Sequence, residues 1–174
     1  KKNTIVAGFV PNCFETVIMM LAVSSLGGIW TSCSPDFGAK GVVDRFGQVH
    51  PHILITSNGY LYNGKVFQLE EKVNGVLDVI DSIKHIIEIE YVDIQSEFNH
   101  DSVIPFSKLL DNEDTPPKFE QLPFDHPLYI MYSSGTTGPP KSIVHGAGGT
   151  LIQHMKEHQL QCDVQAGKSK MFWF

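Results

Sequence analysis

Basic clusters are missing from this sequence: no Lys/Arg group exceeds two neighbours, and 13 basic residues against 19 acidic ones give a formal net charge of -6. A chain that tracks a phosphate backbone needs a basic face, so nucleic acid is not an expected partner. Cysteine is scarce as well. Cys13, Cys33 and Cys162 are odd in number and far apart, with no Cys-x-x-Cys pair to suggest zinc, and a reducing cytosol suits them. Long apolar runs are also lacking. The most apolar stretch, Val17 to Trp30, is broken by Ser24-Ser25 and Gly27-Gly28 and falls short of the roughly 20 residues of a membrane span. No membrane association, signal peptide or internal repeat is expected.

What remains is an ordinary globular composition, with 42% hydrophobic and 18% charged residues, which excludes a disordered or collagen-like chain. The length of 174 residues is enough to bury a core. The chain opens on Lys1 and closes on the apolar run Met171-Phe172-Trp173-Phe174, where a polar tail is usual. A fragment is therefore expected.

Hydrophobic spacing predicts alternating strands and helices. Thr4 to Val10 reads as a strand closed by Pro11, followed by a helix opening with Asn12 and Glu15 at capping-box spacing. Ile29-Trp30-Thr31, the turn Ser34 to Gly38, a helix from Ala39 to Val49 and a strand from His52 to Thr56 continue the order β-α-β-α-β. Phe67 to Ser82 has helical spacing, and Ile86 to Tyr91 reads as the next strand. Parallel strands need crossovers and helices supply them, so the expected fold is α/β, a parallel sheet with helices on both faces. Residues 93–127, rich in proline and acidic side chains, read as an irregular surface excursion with one short helix near Phe106 to Leu110.

Leu128 to Tyr132 reads as a strand that runs into Ser133-Ser134-Gly135-Thr136-Thr137-Gly138-Pro139-Pro140-Lys141. Glycines let backbone N–H groups turn toward an anion, hydroxyls donate to phosphate oxygens, and lysine adds a compact positive charge. Phosphate binding is the chemistry this composition suits. Gly135 and Lys141 have Walker A spacing, but Pro140 replaces the glycine before the lysine, and Ser142 to His145 continues as a strand and not as a helix.

His154-Met155-Lys156-Glu157-His158 spells a zinc-protease helix pattern, yet only sixteen residues follow for the further acidic ligand. An amphipathic helix starting at Thr150, with a Thr150/Gln153 capping box and Leu151, Ile152 and Met155 facing inward, is the simpler expectation. No metal ligand set is assigned. His145 is open between a place beside substrate and a core or turn histidine. Cys13 sits where a helix N-terminus lowers thiol pKa, although a buried structural cysteine is the better reading.

The segment Ser133 to Lys141 resembles the phosphate loop of the adenylate-forming superfamily, Ser/Thr-Ser-Gly-Ser/Thr-Thr-Gly-x-Pro-Lys, with Ser142 where Gly, Ala or Cys is commoner. Ser34-Pro35-Asp36-Phe37-Gly38, Asp44-Arg45-Phe46, Val144-His145 and Gly148 to His154 narrow the resemblance to the acetoacetyl-CoA synthetase family, with Gly146 a small departure. The resemblance implies that 1–174 is an incomplete N-terminal adenylation (AMP-binding) domain whose C-terminal remainder, with the catalytic residues, lies beyond Phe174. It implies an acid-thiol ligase of lipid and ketone-body metabolism that uses acetoacetate, ATP with Mg²⁺, and coenzyme A. Ser133, Ser134, Gly135, Thr136, Thr137, Gly138 and Lys141 would hold the ATP phosphates. A short-chain ligase using acetate or propionate, and a non-catalytic nucleotide-binding product, are the alternatives.

Overall fold

The computed structural model describes residues 1–110, 116–133 and 138–170. Its centre is a seven-stranded sheet in the order β7-β6-β3-β1-β2-β8-β9. Strands β1 (Ile5–Phe9), β2 (Ile29–Cys33) and β3 (Ile53–Ser57) are short apolar or β-branched runs, the pattern of parallel strands covered on both faces. β1 lies parallel to β2 and to β3. β6 (His85–Ile89) and β7 (Val103–Pro105) extend the parallel ladder on one side, and β8 (Pro127–Tyr132) joins β2 on the other. β9 (Ser142–Gly146) returns antiparallel to β8, so the expected parallel sheet carries one antiparallel edge.

Alternate residues of the central strands feed two cores. Ala7, Phe9, Leu54 and Ile86 pack with Val42 and Phe46 of α2 (Ala39–Phe46) and with Val73 and Val76 of α3 (Glu70–Leu77). Val6, Val10, Trp30, Ile55 and Ile87 face Met19, Met20 and Val23 of α1 (Phe14–Ser25) and Phe106. Helices thus cover both faces. Gly8 belongs to the second layer because Trp30 lies over it: a Cβ there would come within 2.7 Å of the indole ring.

Several boundaries differ from those predicted. The helix expected over Phe67–Ser82 is confined to α3, and its first residues instead form β5 (Lys65–Gln68), paired with β4 (Gly59–Tyr62) in an antiparallel hairpin. Asn63 and Gly64, at φ 49° and 72°, make the two-residue turn between them, and Asn-Gly favours that turn because both positions need positive φ. α2 stops at Phe46, three residues early, and the chain then unwinds through His50 at φ 48°. α1 takes Cys13 as its N-cap in place of the Asn12 box, with no side-chain cap bond; the Thr16 hydroxyl donates to the Pro11 carbonyl at 2.8 Å.

Within 93–127 the chain contributes edge strand β7 as well as a short 3₁₀ turn at Phe106–Leu109. Pro105 is tolerated there because an edge strand leaves one side of its backbone unpaired. α4 (Ala147–Lys156) starts before Thr150, so no Thr150/Gln153 box forms; the Gln153 amide donates to Glu157 at 2.9 Å instead. Leu151, Ile152 and Met155, expected inward, are exposed at 61%, 59% and 49%. The helix lies beside β9, and no described residue covers that apolar face.

Candidate functional site

All parallel strands end on one edge of the sheet, and in open α/β sheets ligands bind outside that carboxyl edge where chain connections diverge. The divergence falls at the neighbours β1 and β3. From β1 the chain steps to β2 through α1, it then crosses back over β1 to β3 through α2, and from β3 it continues the opposite way to β6 through α3. A cleft of about 400 Å³ opens there, between the turns Val10–Asn12 and Ser32–Asp36, with Tyr60 to Tyr62 of the hairpin as its wall.

One strand over, β8 delivers the segment 133–141 to the same edge. Because β8 and β9 are antiparallel neighbours, with Tyr132 opposite Ser142, both ends of that segment emerge side by side. Two reciprocal bonds close its base: the Ser133 amide donates to the Lys141 carbonyl, and the Lys141 amide donates to Ser133 Oγ, each at 3.0 Å. Ser133 keeps its hydroxyl proton for another acceptor. The Lys141 side chain is exposed, and Gly138 is surrounded by open space. Ser134, Gly135, Thr136 and Thr137 lie outside the described residues.

The start of the loop is held from below. Thr31 Oγ1 donates to the Ile130 carbonyl at 2.9 Å and lies 3.0 Å from the Tyr132 hydroxyl. Arg45 donates to the Gly41 carbonyl at 2.8 Å, stacks 4.6 Å from the Phe37 ring centroid and reaches within 5.9 Å of the Tyr132 ring. Burial pushes the Tyr132 hydroxyl up to about 12, against smaller opposing effects of the Thr31 bond and the Arg45 charge. Burial likewise raises the Cys33 thiol to about 12, with Arg45 pulling the other way. Both groups are neutral at physiological pH.

The exit of the loop is tied to α2. Gln48, one turn beyond Asp44, donates its amide to the Asp44 carbonyl at 2.6 Å and to the Pro140 carbonyl at 2.7 Å. Sequence reading missed Thr31, Arg45 and Gln48 as supports of the loop. Their partners lie 92 to 101 residues away in the chain for Gln48 and Thr31, and no local pattern carries such a contact.

His145 sits elsewhere. It is half-buried opposite Tyr129, ring centroids 5.4 Å apart, three strand residues or about 10 Å from the loop exit. The rings of His154 and His158 are 6.0 Å apart, and among the described residues no three His, Cys, Asp or Glu side chains converge as a metal site. Burial raises the Cys13 thiol above its ordinary value, with Thr16 partly offsetting it, so the helix N-terminus does not make it a thiolate.

A family model described as "AMP-binding enzyme" matches residues 1–174. The chain is 46% identical over 177 residues to acetoacetyl-CoA synthetase of Xenopus tropicalis, covering 97% of this chain and 26% of that protein. It is 44% identical over 170 residues to acetoacetyl-coenzyme A synthetase of Rhizobium meliloti (strain 1021), with the same two coverages of 97% and 26%. A malonamoyl-CoA synthetase of Penicillium aethiopicum is 42% identical over 175 residues, covering 96% of this chain and 24% of that protein. The solved acetoacetyl-CoA synthetase from Streptomyces lividans superposes with a TM-score of 0.89 at 40% identity, over 96% of this chain and 25% of that one. The chain spans about a quarter of the length of these relatives.

Proposed function

Because the chain belongs to the AMP-binding enzyme family, we propose that it supplies the phosphate-binding part of an ATP-dependent acetoacetate-CoA ligase. In that reaction the substrate carboxylate attacks the α-phosphorus of ATP and displaces pyrophosphate, giving an acyl-adenylate. The thiol of coenzyme A then attacks the acyl carbon and AMP leaves. The observation that carries this reading is the donor-rich segment 133–141, closed at its base by the Ser133 and Lys141 bonds at the carboxyl edge of β8.

Ser133, Ser134, Thr136 and Thr137 would offer hydroxyls to the β- and γ-phosphates, while Gly135 and Gly138 bring no Cβ to hinder an anion's approach to the backbone. Lys141 has two contributions: its backbone closes the loop, and its exposed ammonium is free to meet a phosphate oxygen. Positioning and charge stabilisation are most of what adenylyl transfer asks of a protein. Mg²⁺ would arrive on the triphosphate and draw negative charge from it; the neutral hydroxyls of the loop suit a metal-bound nucleotide, whose charge is already partly neutralised.

The relatives named above narrow the acid. Acetoacetate and malonamate both carry a carbonyl β to the carboxylate and differ by a methyl in place of an amino group. A short β-carbonyl acid is therefore the proposed substrate class, with acetoacetate its member. No helix among the described residues is long and apolar enough to cross a membrane, and three free cysteines suit the cytosol.

The test is thioester formation by the polypeptide at its native length, with ATP, Mg²⁺ and coenzyme A, across acetoacetate, malonamate, acetate, propionate and butyrate. Acetoacetate is expected to give the highest kcat/KM, with malonamate next. Preference for acetate or propionate would replace the acetoacetate assignment with a plain short-chain one.

A further inference from the structure

We propose that Gln48 is a positioning residue that sets the phosphate loop in its ATP-binding conformation by clasping the loop's exit to α2; this rests on the nucleotide reading of the loop. Ser133 at the loop's entry and Lys141 at its exit are fixed to each other at the edge of the sheet. The residues just before Lys141 are Pro139 and Pro140, and prolines bring no N–H with which to extend that ladder into the loop. A carbonyl is all that Pro140 can offer to a neighbour, and Gln48 is the donor that meets it, at 2.7 Å across 92 residues of sequence.

Gln48 is itself held. Its amide also donates to the Asp44 carbonyl at 2.6 Å, and a side-chain amide has two protons for these two bonds. Asp44 lies in α2, whose Val42 and Phe46 are fully buried, so the clasp hangs from a rigid part of the core. One residue before Phe46, Arg45 reaches the Tyr132 ring at the other end of the loop. The last turn of α2 and the two residues that follow it therefore reach both flanks of residues 133–141. A loop with two free ends would lose entropy on binding a triphosphate; one tethered at both flanks has already lost part of it.

Gln48 is exposed, so substitutions there leave the core intact. In Gln48→Ala and Gln48→Glu the donor is gone, and the glutamate adds a carboxylate facing a carbonyl; Gln48→Lys keeps a donor on a long stem. The experiment measures KM for ATP, KM for the acid, kcat and the rate of tryptic cleavage after Lys141 in the native-length protein. Alanine and glutamate variants are expected to raise KM for ATP about fivefold, the equivalent of one lost neutral hydrogen bond. Their kcat, KM for the acid and thermal midpoint stay near wild type, and cleavage after Lys141 speeds up; the lysine variant stays close to wild type on every measure.

Unchanged cleavage and unchanged KM for ATP in both donor-less variants would overturn the proposal. Faster cleavage with unaltered ATP affinity would also overturn it, leaving Gln48 a structural tie only. Failure of the wild-type protein to bind ATP would instead remove the nucleotide reading on which the proposal stands, and the cleavage rates would still report whether the clasp exists.

Discussion

Cys33 and Tyr132 stand at the carboxyl ends of neighbouring strands, and burial controls both. Cys33 goes from an ordinary 9.0 to about 12 and Tyr132 from 10.0 to about 12. Each is an acid held in its neutral form by the fold, so the unfolded chain gives up its protons first as pH rises. The stability that these groups contribute is intact below pH 9 and declines between pH 9 and about 12. Urea midpoints should therefore fall from pH 8 to pH 11, and Cys33→Ala should flatten the fall; midpoints independent of pH would contradict the assignment. None of this was legible in the sequence. The residue types of the loop could be read from the spacing of glycines, hydroxyls and lysine, because that chemistry is local. The supports of the loop could not, since Thr31, Arg45 and Gln48 act through contacts between distant parts of the chain.

Among the elements, those buried on two faces were the easiest to foresee. β1, β3 and β6 are apolar runs with polar or proline boundaries, and their order with α1 and α2 followed from alternation alone. Phe67 and Gln68, the end of β5, fall inside the expected helix because Phe67 and Leu69 fit helical spacing as well as strand spacing over so short a window. Asn63-Gly64 was the missed signal. Gly64 at φ 72° predicts that Gly64→Val costs about 1–2 kcal/mol, the penalty of a Cβ in the left-handed region, whereas Lys65→Val, on the exposed strand next to it, changes stability little. Urea titration of the two variants checks this, and equal effects would mean that the turn is not the constraint. The hairpin matters to the site because Tyr60 to Tyr62 wall the cleft beside β1 and β2.

At the scale of the whole molecule the sheet has one well-filled region and two open ones. Phe9, Leu54, Phe46 and Val73 are fully buried, while Phe14, Val17, Ile18 and Leu21 of α1 and Leu151, Ile152 and Met155 of α4 are exposed. Contiguous apolar surface of this kind is usually covered by other protein. Periodicity identified the apolar face of α4 correctly but assigned it to the interior, because a pattern tells which side is apolar and not what lies against it. The matched relatives are about four times as long as this chain. The measurement that bears most directly on the account is acetoacetate-dependent exchange of labelled pyrophosphate into ATP, compared between the native-length protein and its Lys141→Ala variant. Exchange that requires acetoacetate is expected, with a KM for ATP about tenfold or more higher in the variant, as the loss of a charge-assisted bond demands. Absence of exchange with any carboxylic acid, or exchange indifferent to Lys141, would contradict it.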